Sequence, residues 1–153
     1  MRTLPPGLAL ALAFTATPDF AAEAPYTTYS ADPSFVVDLP VGTQVSDQDF
    51  TTVHDGVPTR FTIESSAPHV DDREVRCAGG RTSYMVNKPN LFAYTCLHAG
   101  RITYYIAKYG RVSRMGASNS TELIEFRITY PAAQRAFWDP AVTHMSRSLR
   151  FIQ

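Results

Sequence analysis

The chain has 153 residues, with 14 basic and 14 acidic side chains and a formal net charge of +0. That length fits one domain, and the charge balance gives no field to gather a polyanion, which excludes nucleic acid as an expected partner. Two cysteines and four histidines leave few candidates for thiol or metal chemistry.

Residues 1–24 read as a secretory signal peptide. Arg2 precedes the apolar run Leu8 to Phe14, and Pro18, Asp19 and the small-residue stretch Ala21-Ala22-Glu23-Ala24 follow it. The run falls well short of the roughly 20 apolar residues of a spanning helix, so a cleaved leader is favoured over an anchor and no stable membrane insertion is expected. Ala22-x-Ala24 satisfies the small-residue rule, although Pro25 disfavours cleavage just before it. Cleavage would remove Arg2, Asp19 and Glu23 and leave a near-neutral product in the periplasm or outside the cell.

Residues 25–33 read as an extended lead-in, and 34–153 as a single α+β domain. Val36-Val37 before Pro40 marks an early strand. Asp55-Gly56, between Phe50 to His54 and Arg60 to Ile63, is a strong hairpin signal. Gly79-Gly80 after Glu74-Val75-Arg76-Cys77, and Ala99-Gly100 between Leu91 to Leu97 and Ile102 to Ile106, predict two further reversals. Leu123 to Tyr130 is a late strand. The middle of the chain therefore reads as mainly antiparallel β-sheet.

Helical periodicity comes last. Ala133, Phe137, Ala141, Met145 and Leu149 recur every four residues with Val142 beside them, a stripe suited to packing on the sheet. Pro131 suits a first helical turn. Pro140 predicts a kink or break near Trp138-Asp139-Pro140, with Asp139 as N-cap of a restarted segment.

Cys77 and Cys96 are the only thiols. An even pair in an exported chain reads as a structural disulfide; no C-x-x-C motif is present, and His54, His69, His98 and His144 lack zinc-like spacing to either Cys. A disulfide needs its Cα atoms within ~7 Å, whereas strands two places apart in a sheet are roughly 9.5 Å apart. The two segments must be neighbours. A meander with Arg81 to Val86 between them conflicts with this unless one Cys sits in a turn.

Both ends of the domain resemble PsbP-like domains. Ser34-Phe35-Val36-Val37-Asp38-Leu39-Pro40 is similar to their opening strand, and Tyr130-Pro131 through Pro140 to Phe151 is similar to their closing strand and helix. The resemblance implies an α/β/α sandwich, an antiparallel sheet covered by helices, and within the wider superfamily it is nearest to bacterial envelope proteins of the DcrB type. The Asp-Gly hairpin and the Cys pair depart from that pattern. The shared positions are structural, so no functional residue carries over.

No G-x-S-x-G, H-E-x-x-H or phosphate-binding loop is present, so no catalytic residues, cofactor or metal are expected. Ala78-Gly79-Gly80-Arg81 reads as a tight turn. Glu122 and Glu125, an odd number of residues apart on one strand, point to opposite faces. His98, beside the Ala99-Gly100 turn, is the most notable histidine. Aromatic residues crowd the central hairpins at Tyr84, Phe92, Tyr94, Tyr104, Tyr105 and Tyr109, with Arg101, Lys108, Arg111 and Arg114 nearby. Tyr and Arg favour binding hot spots. If Ile102, Tyr104 and Ile106 face the core, Tyr105 and Tyr109 point outward, which makes Tyr105, Tyr109, Arg101 and Arg111 the candidate binding patch. The expected role is a non-enzymatic binding protein with a protein partner in the cell envelope. The alternatives are an inhibitor or immunity protein against an exported hydrolase, or a hydrolase without a familiar motif.

Overall fold

The computed structural model describes residues 25–31, 34–68, 77, 79–112 and 120–152. The leader at 1–24, His69, the Glu74-Val75-Arg76 run and Arg114 lie outside the described residues. The chain opens with β1 (Tyr26–Ala31), β2 (Phe35–Pro40), β3 (Gln44–Ser46), β4 (Asp49–His54) and β5 (Val57–Ser66). It continues through β6 (Arg81–Lys88), β7 (Leu91–His98), β8 (Arg101–Val112) and β9 (Ser120–Pro131). A 3-10 turn (Ala132–Gln134), the helix α1 (Arg135–Ser148) and the short β10 (Arg150–Phe151) close it.

The strands form two antiparallel sheets. Seven are ordered β3-β4-β5-β9-β8-β7-β6, and three are ordered β1-β2-β10. Turn chemistry sets the hairpins. Asp55 (φ 49°) and Gly56 (φ 72°) join His54 to its partner Val57, and Ala99 (φ 47°) and Gly100 (φ 72°) join His98 to Arg101. Two consecutive positive φ values give the turn whose twist matches that of its strands.

One face of the large sheet carries the main core. Phe35, Val37 and Leu39 of β2 meet Phe61 and Phe126 of the large sheet and Trp138, Met145 and Leu149 of the helical segment. Tyr29 of β1 packs edge-on against Phe50, which stacks on Phe61 at 5.3 Å. The opposite face carries a smaller cluster of Phe92, Tyr94, Cys96, Tyr105, Ala107 and Leu123, with Cys77 packed against it. This is the expected single-domain α+β fold, mainly antiparallel sheet with a C-terminal helix.

Several details differ from the sequence expectation. The lead-in is a true strand, since Tyr26 to Ala31 pair residue by residue with Pro40 to Phe35; the β-favouring run Tyr-Thr-Thr-Tyr accounts for it. Pro131 ends β9 rather than starting the helix. Pro140 lies within an unbroken α1: the lost hydrogen bond to the Ala136 carbonyl is outweighed by burial of Trp138, Ala141, Val142 and Met145 on either side of it. Asp139 caps nothing, and Ala133 is exposed while Trp138, outside the four-residue stripe, is fully buried. Finally, among the described residues a helix covers only one face of the large sheet, so the α/β/α sandwich is not seen.

The cysteines are joined, with Cα atoms 5.4 Å apart. Arg81 to Lys88 forms an edge strand paired with β7, Thr82 opposite Cys96, and Cys77 lies before it in a turn closed by the Gly80 N–H donating to the Cys77 carbonyl (3.1 Å). One Cys in a turn thus satisfies the distance limit. Replacing both cysteines with Ser is expected to lower stability by about 3 kcal/mol, seen as a drop in the urea midpoint that matches the effect of reductant on the native chain.

Candidate functional site

The helix-facing side of the large sheet is only partly occupied. α1 packs against β2 and β9 and is tied to β2, whose Asp38 N–H donates to Ser148 Oγ (2.9 Å) while the Asp38 carboxylate lies 3.2 Å from His144 Nε2. Between α1 and strands β6 to β8 runs a groove of about 690 Å³. Leu91, Ala93, Leu97, Ile102, Tyr104 and Ile106 line its apolar floor. Alternation places odd residues of β7 and even residues of β8 on this face. A bulge at Ser83 shifts the register of β6 so that Tyr84 lies opposite Thr95 and Val86 opposite Ala93, which keeps Tyr84 and Val86 on the groove side. From Leu91 to Leu97 the floor is about 20 Å long, at ~3.3 Å per residue.

The two ends of the groove differ electrostatically. At one, the Tyr130 hydroxyl donates to Asp139 Oδ1 (2.8 Å) and Arg135 pairs with Asp139 Oδ2 (3.0 Å). Burial, helped by the Asp139 carboxylate, pushes the Tyr130 phenol well above its usual value. At the other end, Lys108 Nζ donates to the carbonyls of Ser146 and Leu149, both at 2.6 Å, which satisfies the otherwise open C-terminus of α1. Burial lowers the Lys108 pKa.

Beyond Lys108 lies a second cavity of about 910 Å³, and Leu91 and Lys108 line both. Lys88, Arg111 and Arg150 join Lys108 in its wall, and no carboxylate is found among the described residues that line it. Phe151 lies so close to Gly110 that a Cβ there would strike its ring. Glycine at this point of β8 lets the return of β10 form one side of the pocket.

The structure separates the residues of the expected patch. Tyr105 does point away from Ile102, Tyr104 and Ile106, but the outward face is itself packed. Tyr105 is 1% exposed, stacks on Tyr94 at 5.3 Å, has Arg127 over its ring and donates its hydroxyl to Glu125. The expectation of an exposed Tyr105 is therefore corrected. Arg101 sits at the opposite end of β8, paired with Pro131, whereas Arg111 pairs with Thr121. Tyr109 and Arg111 do share one place, the wall of the basic pocket.

His98 Nδ1 lies 3.0 Å from the Gly79 carbonyl, beside the disulfide turn, and His54 stacks on Phe137 at 3.7 Å. Among the described residues no three His, Cys, Asp or Glu side chains gather as metal ligands. The His144–Asp38 pair has Ser148 nearby, but Ser148 Oγ donates to the Met145 carbonyl and accepts from the Asp38 N–H. Its hydrogen bonds go to backbone, not to the imidazole. Lys88 and Arg150 carry no signal in the sequence and Lys108 only its place among the aromatic hairpins; the turn that returns β7 beside β8, placing Leu91 opposite Lys108, is the one local clue that brings them together.

No family model and no curated protein matches this chain. Among solved structures it is similar to LpqN, described as involved in cell envelope biogenesis of Mycobacterium tuberculosis, with 9% identity and a TM-score of 0.45 over 84% of this chain and 91% of that one. So loose a likeness assigns neither family nor role, and none of the comparisons supports PsbP-like or DcrB-type membership.

Tyr130 gives the site a pH signature. Its folded pKa is raised above the ordinary 10.0, so the folded chain keeps a proton that the unfolded chain loses, and stability present below pH 10 declines as pH rises further. Tyr94 and Tyr104, also raised by burial, act in the same sense, while the lowered Lys108 acts in the opposite one. Tyr130→Phe is expected to cost about 2 kcal/mol at neutral pH through loss of the bond to Asp139 and to flatten the alkaline decline, both measurable from urea midpoints across pH.

Proposed function

We propose that this chain is an exported, non-enzymatic binding protein of the periplasm or extracellular space, and that its ligand is a small molecule whose long apolar chain lies in the groove between α1 and strands β6 to β8. The observation that carries this reading is the groove floor itself, a strip of aliphatic and aromatic side chains about 20 Å long that α1 flanks from Arg135 to Arg147. Elongated concave surfaces lined by apolar side chains, with few polar groups at their ends, are the usual form of small-molecule sites. The Cys77–Cys96 bond supports an oxidising compartment. No described helix is long and apolar enough to cross a membrane. A protein partner is the weaker reading, because burial of Tyr105 removes the centre of the surface it would use.

Binding of straight-chain alcohols, followed by displacement of the neutral dye Nile red, tests the proposal. Affinity is expected to rise about fourfold per added methylene, the equivalent of ~0.8 kcal/mol each, until the groove is filled. Thr95 lines the middle of the groove and is half-buried. Thr95→Trp should weaken long-chain alcohols at least ~10-fold, as loss of only two methylenes' worth of burial would, while leaving the urea midpoint in place. Affinity independent of chain length, or unaffected by Thr95→Trp, would contradict the reading.

A further inference from the structure

Resting on the proposed chain-binding groove, we infer that the ligand is a single-chain anionic amphiphile whose negatively charged head sits in the basic pocket beyond Lys108. The argument begins with continuity. The apolar groove and the basic pocket meet at Leu91 and Lys108, which line both, so a chain lying on the floor and running toward the C-terminus of α1 delivers its end group to Lys108. The opposite end also carries cations, Arg81 beside Leu97 and Arg135, but the Asp139 carboxylate stands among them, whereas the pocket beyond Lys108 gathers four cations.

Charge then selects its sign. Lys88, Lys108, Arg111 and Arg150 face a cavity with no carboxylate among its described lining residues, in a chain whose overall charge is +0. Balanced surfaces intersperse both signs, so a local excess of this kind within one concavity is an electrostatic feature of the pocket and not of the whole protein. Lys88 and Arg111 are exposed and make no ion pair to a described residue. Arg150 spends one N–H on the Ser148 carbonyl.

Lys108 is the fixed member. Two of its three N–H donors hold the Ser146 and Leu149 carbonyls, which leaves one for a ligand oxygen and prevents the side chain from swinging away. An ammonium partly removed from water gains more from an arriving anion than an exposed one does. The third donor, the neighbouring guanidinium groups and the adjoining apolar floor together fit a carboxylate or phosphate on a long chain. They match a neutral chain less well, because it would leave the pocket's charge uncompensated. A free small anion, in turn, would leave the floor empty.

The test compares palmitate, hexadecanol and inorganic phosphate on the full, oxidised chain by Nile red displacement and calorimetry. Palmitate is expected to bind at least tenfold more tightly than hexadecanol, and phosphate alone to show no binding at the same concentrations. Lys88→Ala/Arg111→Ala, at two exposed positions without an ion pair to a described residue, should weaken palmitate several-fold toward the hexadecanol level while hexadecanol itself is unchanged. Equal binding of palmitate and hexadecanol by the native chain would overturn the inference while leaving the groove proposal standing; loss of both would sink the groove proposal. Phosphate binding as tight as palmitate would mark a plain anion site and also overturn it. So would co-sedimentation with anionic phospholipid vesicles without any binding of monomeric palmitate, since the basic surface would then read a membrane.

Discussion

The whole arrangement follows from a mismatch of widths. An α-helix with its side chains is about 10 Å across, while neighbouring strands are about 4.8 Å apart, so one helix covers roughly two strands. Here a single described helix faces a sheet of seven. The three-stranded sheet helps, bringing Phe35, Val37 and Leu39 down beside Trp138 and Met145, and together the two elements close the core over β4, β5 and β9. On the far side Ala93, Ile102 and Ile106 still join that core, while Leu91, Leu97 and Tyr104 are only partly covered and face the groove.

What holds the uncovered side in shape is mostly local. Edge strands are prone to fray or to pair with other chains, and β6 is an edge strand with nearly all its side chains exposed. The Cys77–Cys96 bond fixes the chain just before β6 to the middle strand of this region, and Gly80 is required there because a Cβ would meet Cys77 Sγ at 2.6 Å. On the outer face the stacked Tyr94 and Tyr105 rings, with Arg127 above and Glu125 accepting from the Tyr105 hydroxyl, stiffen the same strands from behind. The groove is backed by a packed aromatic layer, not by a thin sheet open to water on both sides.

The fold was legible where the chain signals locally. Asp55-Gly56 and Ala99-Gly100 gave their hairpins because two-residue turns depend on the residues within them. The Cys pair placed two segments side by side because a covalent bond has a fixed reach. The helix was found by its period, but its continuity through Pro140 depends on Trp138, whose burial is a tertiary fact. The site was less legible. Strand alternation separates Tyr105 from Ile102, Tyr104 and Ile106, yet whether its face is covered depends on contacts with β7, β9 and the disulfide. The basic pocket joins Lys88, Lys108, Arg111 and Arg150, drawn from β6, β8 and β10, and no pattern along the chain announces that β10 returns to β2 beside Gly110.

The claim at the centre is that the sheet face beside α1 is an open, chain-binding surface. Intermolecular nuclear Overhauser effects between the methylenes of bound hexadecanol and assigned protein methyl groups test it most directly. The account predicts contacts to Leu91 and Leu97, the partly covered methyl-bearing residues of the groove floor, and none to Ala107 or Leu123 on the outer face. Contacts confined to the outer face, or floor methyls that see only other protein protons at saturating alcohol, would contradict it.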